Sequence, residues 1–236
     1  MFQRLRTSHF TVYKFGDGDT QNDPAYQYLM QCMVAACIYK AVHDGNDIIS
    51  ISASGGSVDV KYLRDAIEYA HQNNRIVVSG NLYYRWYQHG FRRNFPGQYP
   101  TVISVTAAEK KEDGSYGYWN ICAPDSTTGV AAPNNIFAGF PTYIDEEDTY
   151  IPSISAAIPT VAALFAMTIS AYPRLGTENP GEYADTVMNL VIENANPRIV
   201  GFEGFSPECG HGMIDAERTI KSAINLNDKR QALNKK

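Results

Sequence analysis

The chain lacks a basic field. Its 236 residues carry 20 Lys and Arg against 25 Asp and Glu, a formal charge of -5, so nothing attracts phosphate backbones and nucleic acid is not an expected partner. Cysteine is sparse: Cys32, Cys37, Cys122 and Cys209 show no C-x-x-C or Cys/His ligand spacing. That removes support for zinc and leaves the thiols as small buried hydrophobes. The opening M-F-Q-R-L-R-T-S-H-F has no apolar h-region, hence no signal peptide, and the chain is expected to be intracellular or to have lost a front segment. Membrane spans are not expected either. The stretch 156–172 approaches span length, but Pro159, Thr160, Thr168, Ser170 and its alanines suit a buried core helix better. No internal repeat is present, no cofactor motif emerges, and the acidic run Asp145–Asp148 is most simply a solvated loop, with calcium as a minor alternative.

What is present is enough apolar residue, 44% of the chain, to bury a full core, with one domain over 1–225 and a frayed tail over 226–236. Turn clusters divide the rest. Phe10 to Phe15 (F-T-V-Y-K-F) is rich in β-branched and aromatic residues and ends at G-D-G-D, which predicts a strand. Asp23 and Pro24 then open a helix with apolar positions at Met30, Val34, Ile38 and Val42, stopped at Gly45. Short apolar runs at 47–52 (D-I-I-S-I-S), 75–79 (R-I-V-V-S) and 101–106 (T-V-I-S-V-T) suit buried parallel strands, and 58–74 between them repeats the helical period. E-K-K-E-D-G-S after Ala108 predicts a hairpin-like turn. Further helices are expected from Ser155 to near Pro173, over 183–194 and over 215–225. Alternation of strand and helix predicts an α/β fold: three layers, a mostly parallel sheet with helices on both faces. The aromatic stretch 82–99, with Tyr83, Tyr84, Trp86, Tyr87 and Phe91, is a long loop that could wall a binding site or form an ordinary satellite cluster.

The segment S-I-S-A-A-I-P from Ser153 to Pro159 runs into V-A-A-L-F-A-M-T-I-S-A-Y, placing serine hydroxyls at the start of an apolar helix. A hydroxyl there serves as a helix cap, or as a nucleophile close to unpaired N–H groups behind small neighbours.

Several segments, taken in order, resemble the subtilisin-like serine peptidases, the subtilases. D-I-I-S-I-S-A-S-G-G is similar to the strand and glycine turn lining that family's specificity pocket, and I-V-V-S-G-N to the strand whose terminal Asn completes its oxyanion hole. T-V-I-S-V-T-A, S-Y-G and A-A-P-N follow in register, then S-I-S-A-A-I-P-T-V-A-A resembles G-T-S-x-A-x-P-x-V-A-G, and G-H-G-M-I-D-A resembles the turn opening the last helix. The resemblance implies Ser155 as nucleophile, Asn81 as oxyanion donor, and Ser52, Ala53, Ser54, Gly55, Gly56 and Gly80 as the lining for an extended peptide or protein substrate.

Departures matter as much. Ser153 and Ile154 stand where the family has Gly and Thr, and Asn134 where it has the glycine of A-P-G. Neither a D-T/S-G turn nor an H-G-T-H helix start precedes Phe10, so relative to the family the front that carries its catalytic Asp and His is expected to be missing. His9, His43, His71, His89 and His211 offer no obvious base, His89 being the least implausible. Three readings follow: a subtilase endopeptidase whose Asp and His come from a separate segment, a pseudo-peptidase that binds peptides without turnover, and a fragment with no function of its own.

Overall fold

The computed structural model describes residues 9–14, 24–53, 56–81, 94–137 and 150–233. Its order is α1 (Pro24–His43), β1 (Ile48–Ile51), α2 (Lys61–Gln72), β2 (Ile76–Gly80), β3 (Val102–Lys110), β4 (Tyr116–Tyr118), β5 (Val130–Pro133), β6 (Asn135–Phe137), β7 (Tyr150–Pro152), α3 (Ile154–Ala171), α4 (Glu182–Asn194), a 3-10 turn (Pro197–Val200) and α5 (Ala216–Leu233). The main sheet runs β1-β2-β3, and β3 then pairs in parallel with β5 and antiparallel with β4. β1, β2 and β3 pair in parallel, with Ile49 against Val77 and Val78 against Ile103. A parallel sheet must be covered on both faces, and here it is. One face carries Val77 and Val102 under α1 and α2, through Val34, Ile38, Leu63, Ala66 and Ile67. On the other, Val78, Ile103, Val105 and Val130 pack under α3 and α4, with Ile158, Val161, Phe165, Val187 and Val191.

Local chemistry explains the elements. α2 is amphipathic, burying Leu63, Ala66, Ile67 and Ala70 on one stripe, as helical spacing requires. β3 turns into β4 through a loop in which Asp113 Oδ1 accepts from the Ser115 N–H at 2.9 Å and its hydroxyl at 2.6 Å, with Gly114 at φ 84°; this is the expected hairpin. α3 is the core helix, with Ile154, Ala157, Val161, Leu164, Phe165 and Thr168 all buried. Cys122 and Cys209 are buried as well, and burial pushes the Cys209 thiol up to about 12, so neither is a ready nucleophile.

Two expectations are corrected. Residues 9–14 form no strand, and Phe10 and Val12 are 93% and 91% exposed. Strand propensity there meets no ladder, and of its apolar residues only Tyr13 packs against the α1–α2 core, whereas a stable strand needs pairing and cover along its length. Tyr13 is tied down instead, its hydroxyl donating to Asp44 Oδ2 at 2.7 Å and accepting from Asn46 Nδ2 at 3.1 Å; Phe15 lies outside the described residues. At the other end, 226–233 does not fray but continues α5. Arg230 holds it there: one guanidinium nitrogen donates to the Pro173 carbonyl at 2.7 Å, and the group lies 4.0 Å from the centre of the Tyr172 ring, a cation–π contact.

Candidate active site

α3, β1 and β2 meet at the carboxyl ends of the parallel strands, the usual place for a site in an α/β sheet. The approach starts at Gly80. A Cβ on Gly80 would lie 2.9 Å from Ile158 Cδ1 and 3.0 Å from Ile154 Cγ2, so the first turn of α3 rests on the last residue of β2 only because that residue is glycine. Gly80 is buried, and its carbonyl accepts from Asn94 Nδ2 at 2.9 Å.

α3 begins with a division of labour between two serines. Ser153 is the cap: at φ -162° and ψ 147° it is extended, and its hydroxyl accepts from the Ser155 N–H at 3.0 Å. Its backbone N–H is held by the Asn134 carbonyl at 3.0 Å, so the β6–β7 pair delivers it to the helix. Ser155 is the second helical residue and is exposed between buried Ile154 and Ala156. Pro159, four residues on, has no N–H to give the Ser155 carbonyl. Ser52, just past β1, supplies the missing donor: its hydroxyl reaches that carbonyl at 3.3 Å. Ser52 is thus bound to the helix start, a link that the spacing of Pro159 from Ser155 signals in the sequence.

Asn81 is oriented differently from the expectation of a donor facing Ser155. It is 3% exposed, and its Nδ2 donates to the Ala123 carbonyl at 3.0 Å and to Thr128 Oγ1 at 2.8 Å. The Thr128 hydroxyl in turn donates to the Pro207 carbonyl at 3.1 Å, which fixes it as the acceptor from Asn81 and sets the carboxamide's orientation. Strand alternation accounts for this direction: Gly80 faces α3, so the next residue faces away. Both carboxamide hydrogens of Asn81 are thus engaged by Ala123 and Thr128, and its backbone N–H by the Val105 carbonyl.

The remaining expected residues divide. Ala53 is half-buried and packs against the α1–α2 core, and Gly56, at φ 98°, has Gln27 Oε1 2.7 Å from where a Cβ would stand. Ser54 and Gly55 lie outside the described residues, as do His89, the aromatic residues 83–91 and the acidic run 145–148. Among the histidines, His43 is 86% exposed beside Asp44, His71 Nε2 lies 2.8 Å from Asp185 Oδ1, and His211 stands edge-on to Phe205. Among the described residues the Ser155 hydroxyl has no hydrogen-bond partner, and no group of His, Cys, Asp and Glu there could hold a metal ion.

The family model described as the subtilase family matches residues 25–212. Among solved structures, fervidolysin from Fervidobacterium pennivorans, a keratinolytic enzyme related to subtilisin, is 18% identical with a TM-score of 0.64, covering 85% of this chain and 31% of its own. The prenylagaramide maturation protease PagA is 19% identical, with a TM-score of 0.65 and coverage of 88% and 70%. The PatG macrocyclase domain is 20% identical, with a TM-score of 0.64 and coverage of 83% and 57%. The chain thus spans under a third of fervidolysin. No curated protein sequence matches it.

Proposed function

Because this chain belongs to the subtilase family, we propose that it is an endopeptidase domain in which Ser155 is the nucleophile, with the Asp and His supplied by a separate segment. The observation that carries the reading is the exposed Ser155 hydroxyl on the first turn of a buried helix, beside the carboxyl ends of β1 and β2. An extended peptide would lie along the backbone beyond β1, from Ser52 to Gly56, with its scissile carbonyl over Ser155. Ser155 Oγ then attacks the carbonyl carbon and gives its proton to the supplied imidazole. The imidazole passes that proton to the leaving amine, and water hydrolyses the resulting ester. Without the imidazole the hydroxyl stays a weak nucleophile, and turnover is expected to be very low.

Fluorophosphonate labelling tests this. The chain mixed with a segment bearing D-T/S-G and H-G-T-H elements should label at Ser155 by peptide mapping, and Ser155→Ala should not. Absence of labelling with folding intact overturns it.

A second reading, a pseudo-peptidase that binds peptides without cleaving them, is favoured by Asn81, whose donors are committed to Ala123 and Thr128. Saturable peptide binding with no product in the supplemented protein would establish it in place of the first.

A further inference from the structure

The end of β2 and the backbone that continues β1 are joined by one short buried segment, Asn94 to Gly97. Alternation along β2 turns the Asn81 N–H toward β3, where the Val105 carbonyl takes it at 2.8 Å, and so turns the Gly80 carbonyl the other way, toward the β1 side. Asn94 meets it there. Its Nδ2 donates to the Gly80 carbonyl at 2.9 Å and reaches the Asn81 carbonyl at 3.4 Å. The next residue ties the opposite wall, the Phe95 N–H donating to the Gly56 carbonyl at 3.0 Å. Gly97 closes the contact. A Cβ on it would stand 2.5 Å from the Gly80 oxygen, and Gly97 has no positive φ, so close approach rather than backbone shape requires glycine at that position. Asn94 and Phe95 are each 4% exposed, so these bonds are made away from water, where they hold their geometry most firmly.

We propose that Asn94 is a positioning residue for the peptide cleft, its carboxamide fixing the end of β2 relative to the wall from Ser52 to Gly56. This rests on Ser155 being a peptide site. A peptide lying along that wall with its carbonyl over Ser155 must match the wall and the hydroxyl at once. Ser155 stands on the first turn of α3, and that turn rests on Gly80 through Ile154 and Ile158. The spacing the peptide reads is therefore the spacing of Gly80 from Gly56. Asn94 and Phe95, adjacent in the chain, hold it from both ends. Buried as it is, Asn94 acts through these carbonyls rather than by touching the peptide. Without its carboxamide Gly80 still supports α3, but the tie to the wall is lost, and an extended ligand no longer meets both.

The probe is acetyl-tetra-alanine amide, titrated against the whole chain while the Ser155 amide resonance is followed, with urea unfolding measured beside it. Asn94→Ala should weaken binding roughly tenfold, the net worth of about one hydrogen bond. Gly97→Ala presses on the same Gly80 carbonyl while leaving the Asn94 side chain in place, and should weaken binding to a similar degree. The double variant should bind no more weakly than the poorer single one, because both changes act through one carbonyl. Bonds that served stability alone would lower the urea midpoints and leave the affinity of the folded chains unaltered. That result, or losses of affinity that simply add in the double variant, overturns the proposal and leaves peptide binding standing. Where Asn94→Ala does not fold, Gly97→Ala alone decides, unaltered affinity again being the refuting result. No saturable binding by the unaltered chain overturns both this proposal and the peptide site it rests on.

Discussion

Replacing Asn81 by alanine tests whether that carboxamide is an anchor. The change removes two donors at once. Thr128 Oγ1 keeps its bond to Pro207, but the Ala123 carbonyl, buried with its residue, loses its partner. The lost bond to Thr128 costs about 1 kcal/mol and the buried Ala123 acceptor left unpaired about 1–3 kcal/mol, so the loss should be about 2–4 kcal/mol. In a domain whose whole stability is on the order of 5–15 kcal/mol, that is a large share. Urea unfolding followed by circular dichroism should show the midpoint falling with an unchanged slope. Asn81→Asp should do no better, because it keeps the shape while setting an acceptor against the Ala123 carbonyl. A cycle with Thr128→Val should give a coupling of about 1 kcal/mol between the two side chains. If Asn81→Ala unfolds within about 0.5 kcal/mol of the unaltered chain, the carboxamide is not anchored. It would then be free to turn towards Ser155 as an oxyanion donor, and the reasoning from its bonds fails.

Gly80→Val should destabilise by about 1–3 kcal/mol through overpacking against Ile154 and Ile158, and labelling at Ser155 should fall with it; an unchanged urea midpoint would show that α3 does not rest on β2. Glu178 should carry an acid-sensitive part of the stability. Burial alone would raise its pKa, but the Leu175 and Gly176 N–H groups, bonded to it at 2.6 and 2.8 Å, together with Arg174, hold the carboxyl below its usual value. A depressed folded pKa means the contribution is full above the unfolded value, about 4.3 for Glu, and is lost as pH falls through the folded one. Glu178→Gln should therefore cost about 1 kcal/mol at pH 7 and nothing once both carboxyl forms are protonated; a difference independent of pH would refute the assignment.

Most of the framework was legible because parallel strands announce themselves. D-I-I-S-I-S, R-I-V-V-S and T-V-I-S-V-T are apolar through both faces, and sheet with helices on each side is the arrangement that buries them. F-T-V-Y-K-F failed for the opposite reason: its propensity is as strong, but a strand exists only by pairing, and residues 9–14 have no ladder. α5 ran past its expected end because the partners of Arg230, Pro173 and Tyr172, lie 57 and 58 residues earlier, beyond the reach of local pattern.

At the site, the limit is direction rather than position. The sequence offered cap and nucleophile as rival readings of one segment; of its two serines, with one residue between them, Ser153 is the cap and Ser155 faces solvent. In S-G-N the glycine lies against α3, with Ile158 and Ile154 where a Cβ would stand, and the asparagine follows it. Yet the same alternation that makes Gly80 face the helix obliges Asn81 to face away unless the backbone twists at the strand end. Ala123 and Thr128, 42 and 47 residues downstream, supply acceptors that reward the untwisted direction. The proposed cleavage and the alternative of binding alone thus make opposite demands on Asn81, whose carboxamide would have to leave Ala123 and Thr128 to serve as an oxyanion donor.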